Sequence, residues 1–337
     1  MKVHCIYHGN CADGFTSAWI VHNALKDKAE LTFTAGVYQR PPPDIDPETD
    51  IVLFVDFSYQ RRVMMEVASR LRNGVIMVLD HHKSASENLY ADPRDQIYRV
   101  PDPRAANANW NGLVDELGTS RALGEPIAKD IYCLFDMDRS GAGITWDFFN
   151  PGQPRPALVN HVEDRDLWRF KLPGTREIQA NLFSYPYDFD KWSEIAMHLE
   201  DEDAHLRFAQ DGTAIERKHF KDIAELLTVV TRPMKFRVSE RTDVSHVIVP
   251  IANLPYTMVS DAGERLIECD LRGHPDAMMR HPFAGCYYDG PHGRNFSLRS
   301  REGGMDVSII AKLYGGGGHA QAAGFRVPFD QLAQFEP

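Results

Sequence analysis

The chain has little that would take it into a membrane or cross-link it. No apolar run approaches the roughly 18 residues that a membrane-crossing helix needs, so no membrane partner is expected. Five cysteines (Cys5, Cys11, Cys133, Cys269 and Cys286) lie scattered with no C-x-x-C pair. An odd, dispersed set speaks for free thiols in a reducing compartment. The opening "MKVHCIYHGN" carries one lysine and then a short strand-like run broken by His4 and His8, which is not the pattern of a secretory signal; a cytoplasmic protein is expected. A basic surplus is also missing. Lys and Arg number 37 against 48 Asp and Glu, for a net charge of -11. That argues against a large non-specific nucleic-acid surface. It leaves nucleotide chemistry open, because carboxylates gathered around metal ions add to the negative count. There is no internal repeat and no long low-complexity segment.

What remains is an ordinary globular chain, 337 residues long and 43% hydrophobic, long enough for a large core and best divided into two domains. Its first half alternates strand and helix signals. "KVHCIYH", "ELTFTA", "DIVLFVDF" and "GVIMVLD" read as strands; "GFTSAWIVHNALKD" and residues 59 to 72 read as helices. Buried apolar runs separated by helical periods predict a parallel sheet covered on both faces. Residues 90 to 128, interrupted by Pro93, Pro101, Pro103 and Pro126, read as an excursion with short helices. "IYCLFDMDRSGAGITWDFFN" supplies another strand, then a helix capped near Ser140. Helical spacing of Ile215, Phe220, Ile223, Leu227 and Val230 predicts a connecting helix over 203 to 231. From about 233 the pattern turns strand-rich ("MKFRVS", "SHVIVPIAN", "CDLRG", "FAGCYYD", "RNFSLRS"), followed by a helix "DVSIIAKLY" and a loop "GGGGHAQAAGF". The expected architecture is α/β: a parallel-sheet N-terminal catalytic domain (1 to 185), a helical connector (186 to 232) and a smaller mixed α/β C-terminal domain (233 to 337).

Three groups of residues carry chemistry. Ligands of open α/β sheets sit beyond the carboxyl ends of the strands, and His8, Asp13, Asp56 and Asp80-His81-His82 all lie at or just past such ends. Carboxylates crowded at one point repel unless a cation lies between them. Aspartate with neutral histidine suits hard to borderline divalent cations such as manganese or magnesium. The glycine run 315 to 318 lets backbone amides approach an anion closely, with His319 as a further donor. Arg294, Arg299 and Arg301 add phosphate-type donors upstream. The third group is "VEDRDLWRF", where Asp164 and Asp166 flank Arg165.

These motifs, in their order, resemble the DHH phosphoesterase superfamily over nearly the whole chain. "HGNCADGFTSA" is similar to its first motif, "VDFS" to its second, "LDHHKSA" to its third and the aspartate of "VEDRDLW" to its fourth. "FSLRS" and "GGGGHAQAAGF" resemble the associated C-terminal substrate domain. The resemblance implies two metal ions, with Mn2+ favoured and Mg2+ or Co2+ as alternatives. It implies that Asp56 bridges them, that His8 binds one, and that Asp13, His81 and Asp164 bind the other, with Asp166 as the alternative to Asp164. It implies that His82 faces the substrate phosphate, that Asp80 orients the histidines, and that Arg299, Gly316, Gly317, Gly318 and His319 grip the rest of the substrate. One departure stands out. Cys11 occupies the place of an expected ligand carboxylate, so a thiolate is a candidate ligand there.

The expected function is therefore metal-dependent hydrolysis of phosphodiester or phosphomonoester bonds in short oligonucleotides or small dinucleotides. The alternatives are a RecJ-type single-strand exonuclease and a non-catalytic nucleotide-binding protein of the same fold. A homodimer is compatible with the sequence.

Overall fold

The computed structural model describes residues 1–94, 97–103, 109–122, 130–239, 246–268 and 281–335. These divide into two compact units, Met1–Glu216 and Arg217–Pro337. No helix among the described residues is long and apolar enough to cross a membrane.

The first unit follows the order β1 (Lys2–His8), α1 (Ala12–Leu25), β2 (Glu30–Gly36), β3 (Ile51–Val55), α2 (Arg61–Arg70), β4 (Val75–Asp80), α3 (Lys83–Leu89), β5 (Ile97–Arg99), α4 (Trp110–Ala122), β6 (Ile131–Phe135), α5 (Gly141–Phe149), α6 (Ala157–Asp166), α7 (Thr175–Leu182) and α8 (Phe189–Glu200). Six strands form one sheet in the order β2-β1-β3-β4-β6-β5, and every pairing is parallel. Side chains alternate across a strand, and both faces here are covered. Ile51, Leu53 and Val55 of β3 join one buried cluster with Val75, Met77 and Leu79 of β4. Val52 and Phe54 join the opposite cluster with Ile76 and Val78. Strands buried on both faces must be apolar at every position, which is why they read as continuous runs. Their first polar residues come where they leave the sheet, and because all run parallel those exits share one edge.

The excursion contains the short edge strand β5 and the helix α4, whose Trp110, Leu113 and Leu117 pack into the first cluster. The helices α6, α7 and α8 form a third apolar cluster with α1, around Trp19, Leu158, Ile178 and Trp192.

The long helix α9 (Glu202–Val230) contains the division between the units. It matches the helix expected over 203 to 231. The second unit continues with β7 (Thr231–Arg237), β8 (His246–Asn253), α10 (Val259–Leu266), β9 (Ala284–Gly290), β10 (Gly293–Arg299), α11 (Val307–Leu313), β11 (Gly317–Gly318) and β12 (Ala322–Val327). Its sheet has the order β11-β12-β10-β9-β8-β7 and is mixed, with β8 and β9 parallel and the other pairs antiparallel. The expected strand "CDLRG", with Cys269, lies outside the described residues. The glycine segment, expected as a loop, is partly a hairpin: Gly317 and Gly318 pair with Gly324 and Ala323.

Candidate metal centre

The central strands deliver the site. His8 ends β1, Asp56 follows β3, and Asp80 ends β4 just before His81 and His82. Asp56 takes a left-handed backbone conformation, φ 55°, which Asp tolerates better than most residues. Its amide donates to the Leu79 carbonyl at 2.8 Å, so the turn stays tied to the neighbouring strand.

Asp56 is the hub. His8 Nδ1 stands 3.4 Å from its Oδ2 and His81 Nε2 3.1 Å from its Oδ1. Both Asp56 oxygens and His8 Nδ1 are buried without a hydrogen bond of acceptable geometry. Three sets of potential ligands share Asp56, each with donor atoms within 4.8 Å of one another: His8 and Cys11, Asp13 and His81, and Asp80 and His82. A buried carboxylate left unsatisfied is costly. Ringed by imidazoles, a thiol and another carboxylate, it has the donor set that a divalent cation satisfies, so the residues present fit such an ion.

Charge balance points the same way. Burial and the Asp56 and Asp166 carboxylates push the Asp13 carboxyl well above its usual range. Desolvation where its carboxylate meets the cluster, and the Asp56 charge, likewise push Asp166 up against the pull of His81, although the residue as a whole is exposed. Burial alone would lower His81, but the close Asp56 carboxylate and the charges of Asp166 and Asp13 raise it to about 10. Burial disfavours charge on Asp56 too, yet His8 and His81 hold its carboxyl well below the ordinary value. The directions for Asp13, Asp166 and His81 all reduce negative charge or add positive charge around Asp56, as a cation held there would. Burial and the same aspartates raise the Cys11 thiol well above its ordinary value.

Asp80 positions the two histidines. Its Oδ1 accepts from the amide of His81 at 2.7 Å, the amide of His82 at 3.2 Å and His82 Nδ1 at 2.7 Å; its Oδ2 accepts from Ser58 Oγ at 3.3 Å. Burial of His82 would lower its pKa, but the Asp80 charge and hydrogen bond raise it.

The two aspartates of the fourth motif part company. Asp166 Oδ2 lies 3.4 Å from His81 Nε2, at the cluster. Asp164 turns the other way and accepts from Lys171 N at 2.9 Å, Leu172 N at 3.0 Å and Thr175 Oγ1 at 2.7 Å. It clamps the chain leaving α6, so the structure brings Asp166, and not Asp164, to His81. The Thr175 hydroxyl spends its proton on Asp164, so it accepts from His161 Nδ1, 2.8 Å away, which fixes that histidine's tautomer. Burial, with His205 adding, lowers the His161 pKa to about 4. A histidine kept neutral in the fold gives its full contribution above the unfolded value near 6.5 and loses it as pH falls towards 4. From pH 7.5 to 5, wild type is expected to lose about 2 kcal/mol more than His161→Gln, measured by urea unfolding at both values.

Asp13, a candidate ligand, also caps α5, accepting from Gly141 N at 2.7 Å and Ala142 N at 2.9 Å. Several contributors around it carry no sequence signal of their own. A Cβ on Gly141 would lie 2.4 Å from Asp56 Cβ, so only glycine lets α5 approach the hub this closely. Gly141→Ala is expected to displace Asp56, lowering stability by about 1–3 kcal/mol and any metal-supported activity by at least about tenfold; denaturant midpoints and rates read the two effects. Behind α5, Arg139 and Arg155 both bind Asp147, at 2.6 and 2.7 Å, and Arg155 also binds Glu163 at 2.9 Å. Tyr38, just past β2, packs edge-on against His8 and His82, with ring centroids 5.3 and 5.9 Å away. Its position beyond a strand end was the available clue.

In the second unit, Arg299 is held by Ser297 Oγ, the Leu298 carbonyl and Ser260 Oγ, each at 2.9 Å. Arg294 is paired with Asp289 and Arg301 with Glu268. The glycine run has a structural task not foreseen in the sequence. Gly315, at φ 78°, donates to Lys312 O and Gly316 donates to Ala311 O, a Schellman ending for α11. His319 N donates to Ala322 O at 2.8 Å and closes the hairpin. The amides of Gly315, Gly316 and His319 are thus engaged by the fold, which changes the reason expected for these glycines.

No protein-family profile matches the chain. It is 27% identical over 336 residues to an uncharacterized protein of Acanthamoeba polyphaga mimivirus, covering 95% of this chain and 66% of that relative. The chain therefore spans less than two thirds of that relative's length. Among solved structures, a DHH domain from a member of the S1p family of ribosomal proteins overlays with a TM-score of 0.51 at 14% identity, covering 99% of this chain and 84% of that one. At such identity the likeness is one of fold. A pGpG-specific phosphodiesterase from Vibrio cholerae covers 99% of this chain and 96% of its own at 12% identity, but its TM-score of 0.39 is too low to carry an argument.

Proposed function

The chain has the fold of a DHH domain, and from its buried cluster we infer that it is a metal-dependent phosphoesterase acting on short oligonucleotides or small dinucleotides. One observation carries the reading: Asp56 presents two buried carboxylate oxygens without hydrogen bonds to a ring of potential ligands. Asp56 would be shared between two ions, with His8 and Cys11 towards one and Asp13, His81 and Asp166 towards the other. Asp13 can serve although it also caps α5, because a carboxylate has about four acceptor positions. Manganese fits this mixture of carboxylate, imidazole and thiol better than magnesium. Such ions supply charge neutralisation and an activated water.

The chain's own residues do the rest. Asp80 fixes the ring of His82 through Nδ1, and a protonated His82 donates to a phosphate oxygen and stabilises charge developing there. Tyr38, whose ring borders both His8 and His82, limits the space beside the reacting phosphate. The Asp13 cap holds the N-terminus of α5 against the hub. In the second unit, Arg299 is pre-set by three hydrogen bonds, and we assign it and His319 to the non-reacting part of the substrate.

Short substrates follow from charge. A protein of net charge -11 offers few phosphate contacts beyond the reacting one. Binding to single strands weakens with salt at a log–log slope of about -0.7 per phosphate neutralised. Turnover is expected to be best at roughly two to five nucleotides, with a shallow salt slope equivalent to about two or three contacts. A length ladder assayed at two salt concentrations checks this. Faster, processive digestion of long strands with a steep slope would move the assignment to a RecJ-type exonuclease.

A further inference from the structure

Between α6 and α7 the sequence "RDLWRFKLPGTR" (165 to 176) interleaves cations and rings: Arg165, Trp168, Arg169, Phe170, Lys171 and Arg176. It is a locally basic stretch in an acidic chain, and it begins beside Asp166, which reaches the cluster through His81. In the fold these residues form a layered surface. The Arg165 guanidinium lies 4.7 Å from the Trp168 ring centroid, 5.9 Å from Phe170 and 5.7 Å from Phe183. Arg176 lies 3.6 Å over Phe170, and Trp168 and Phe170 meet edge to face at 5.1 Å.

Core packing does not explain the arrangement. Trp168 and Phe170 are only half-buried and Phe183 is 49% exposed. Both Trp168 and Phe170 also adopt positive φ, 56° and 46°, a region that bulky side chains rarely enter. The Asp164 clamp on Lys171, Leu172 and Thr175 holds the segment in this form. A chain that spends backbone strain to keep rings and guanidinium groups at its surface has built planar, electron-rich and cationic faces. Unpaired nucleobases stack on such faces, and the accompanying cations answer the phosphates.

We propose that Trp168, Phe170 and Phe183, with Arg165 and Arg176, form a nucleobase-stacking subsite on the segment that follows Asp166. It takes an unpaired base of the short strand whose phosphate is to be cleaved. This rests on the phosphoesterase reading for its biological use, though base binding itself needs no turnover. The subsite gives preference for strands with bases over bare phosphodiester chains. It also supplies affinity without requiring a long basic track.

The test uses the full chain in excess chelator, so that no hydrolysis intervenes. Fluorescein-labelled tetra-adenylate and an abasic strand of equal length are compared by anisotropy. Wild type is expected to bind tetra-adenylate at least about tenfold more tightly. Trp168→Leu and Phe183→Leu each reduce that ratio about fivefold or more and leave the abasic strand unaffected. If Trp168→Leu does not fold, Phe183→Leu at its half-exposed position carries the comparison. Equal binding of the two strands by wild type, or an unchanged ratio in a folded Phe183→Leu, overturns the proposal. Base preference without hydrolysis of any nucleotide would retain the subsite and remove the phosphoesterase reading; hydrolysis without base preference would do the reverse.

Discussion

Asp56→Asn is expected to lower manganese-supported hydrolysis of a linear dinucleotide by at least about a thousandfold while leaving the chain folded. Asp56 belongs to each of three candidate ligand sets in the first unit, so losing its charge weakens every one of them; outer residues of metal sites alone cost about 10–100-fold. The amide retains the size of the carboxylate, and the backbone bond to Leu79 is unaffected. Circular dichroism and the melting curve report folding, and equilibrium dialysis should find less manganese retained than in wild type. Activity within tenfold of wild type would remove Asp56 from the hub.

The second large effect separates two aspartates that stand two residues apart. Asp164→Ala is expected to destabilise the protein by about 3 kcal/mol or more, because it strips the acceptor from two amides and a hydroxyl. Asp166→Ala is expected to leave stability unchanged or raise it, since it removes one member of a crowded carboxylate group. It should cost at least about a hundredfold in activity. Urea unfolding paired with initial rates distinguishes them. A stable, inactive Asp164→Ala beside an active Asp166→Ala would reverse the assignment.

That pair also shows where sequence reading stops. Successive helical residues turn by about 100°, so positions 164 and 166 at the end of α6 face nearly opposite ways, and only the helix's rotation decides which meets His81. Nothing local encodes that rotation. The strand ends were legible for the opposite reason: β3 and β4 are buried on both faces, so the first polar residues after each apolar run mark a single edge, where His8 also ends β1 although His4 interrupts that strand. Tyr38 follows β2 at the same end of the sheet, but a tyrosine after a strand has many uses and did not declare itself. Gly141 and the Arg139–Asp147–Arg155 group act through contacts distant in sequence. The glycines at 315 and 316 were conspicuous, yet composition could not distinguish an anion cradle from the ending of α11.

The cluster around Asp56 is proposed to work only when it holds divalent cations. The most direct test is dinucleotide hydrolysis by the full chain, stripped with chelator and titrated with manganese. The rate is expected to be near zero in chelator and to rise until it saturates near two ions per chain. Undiminished hydrolysis in excess chelator, or no hydrolysis at any manganese concentration, would contradict this proposal.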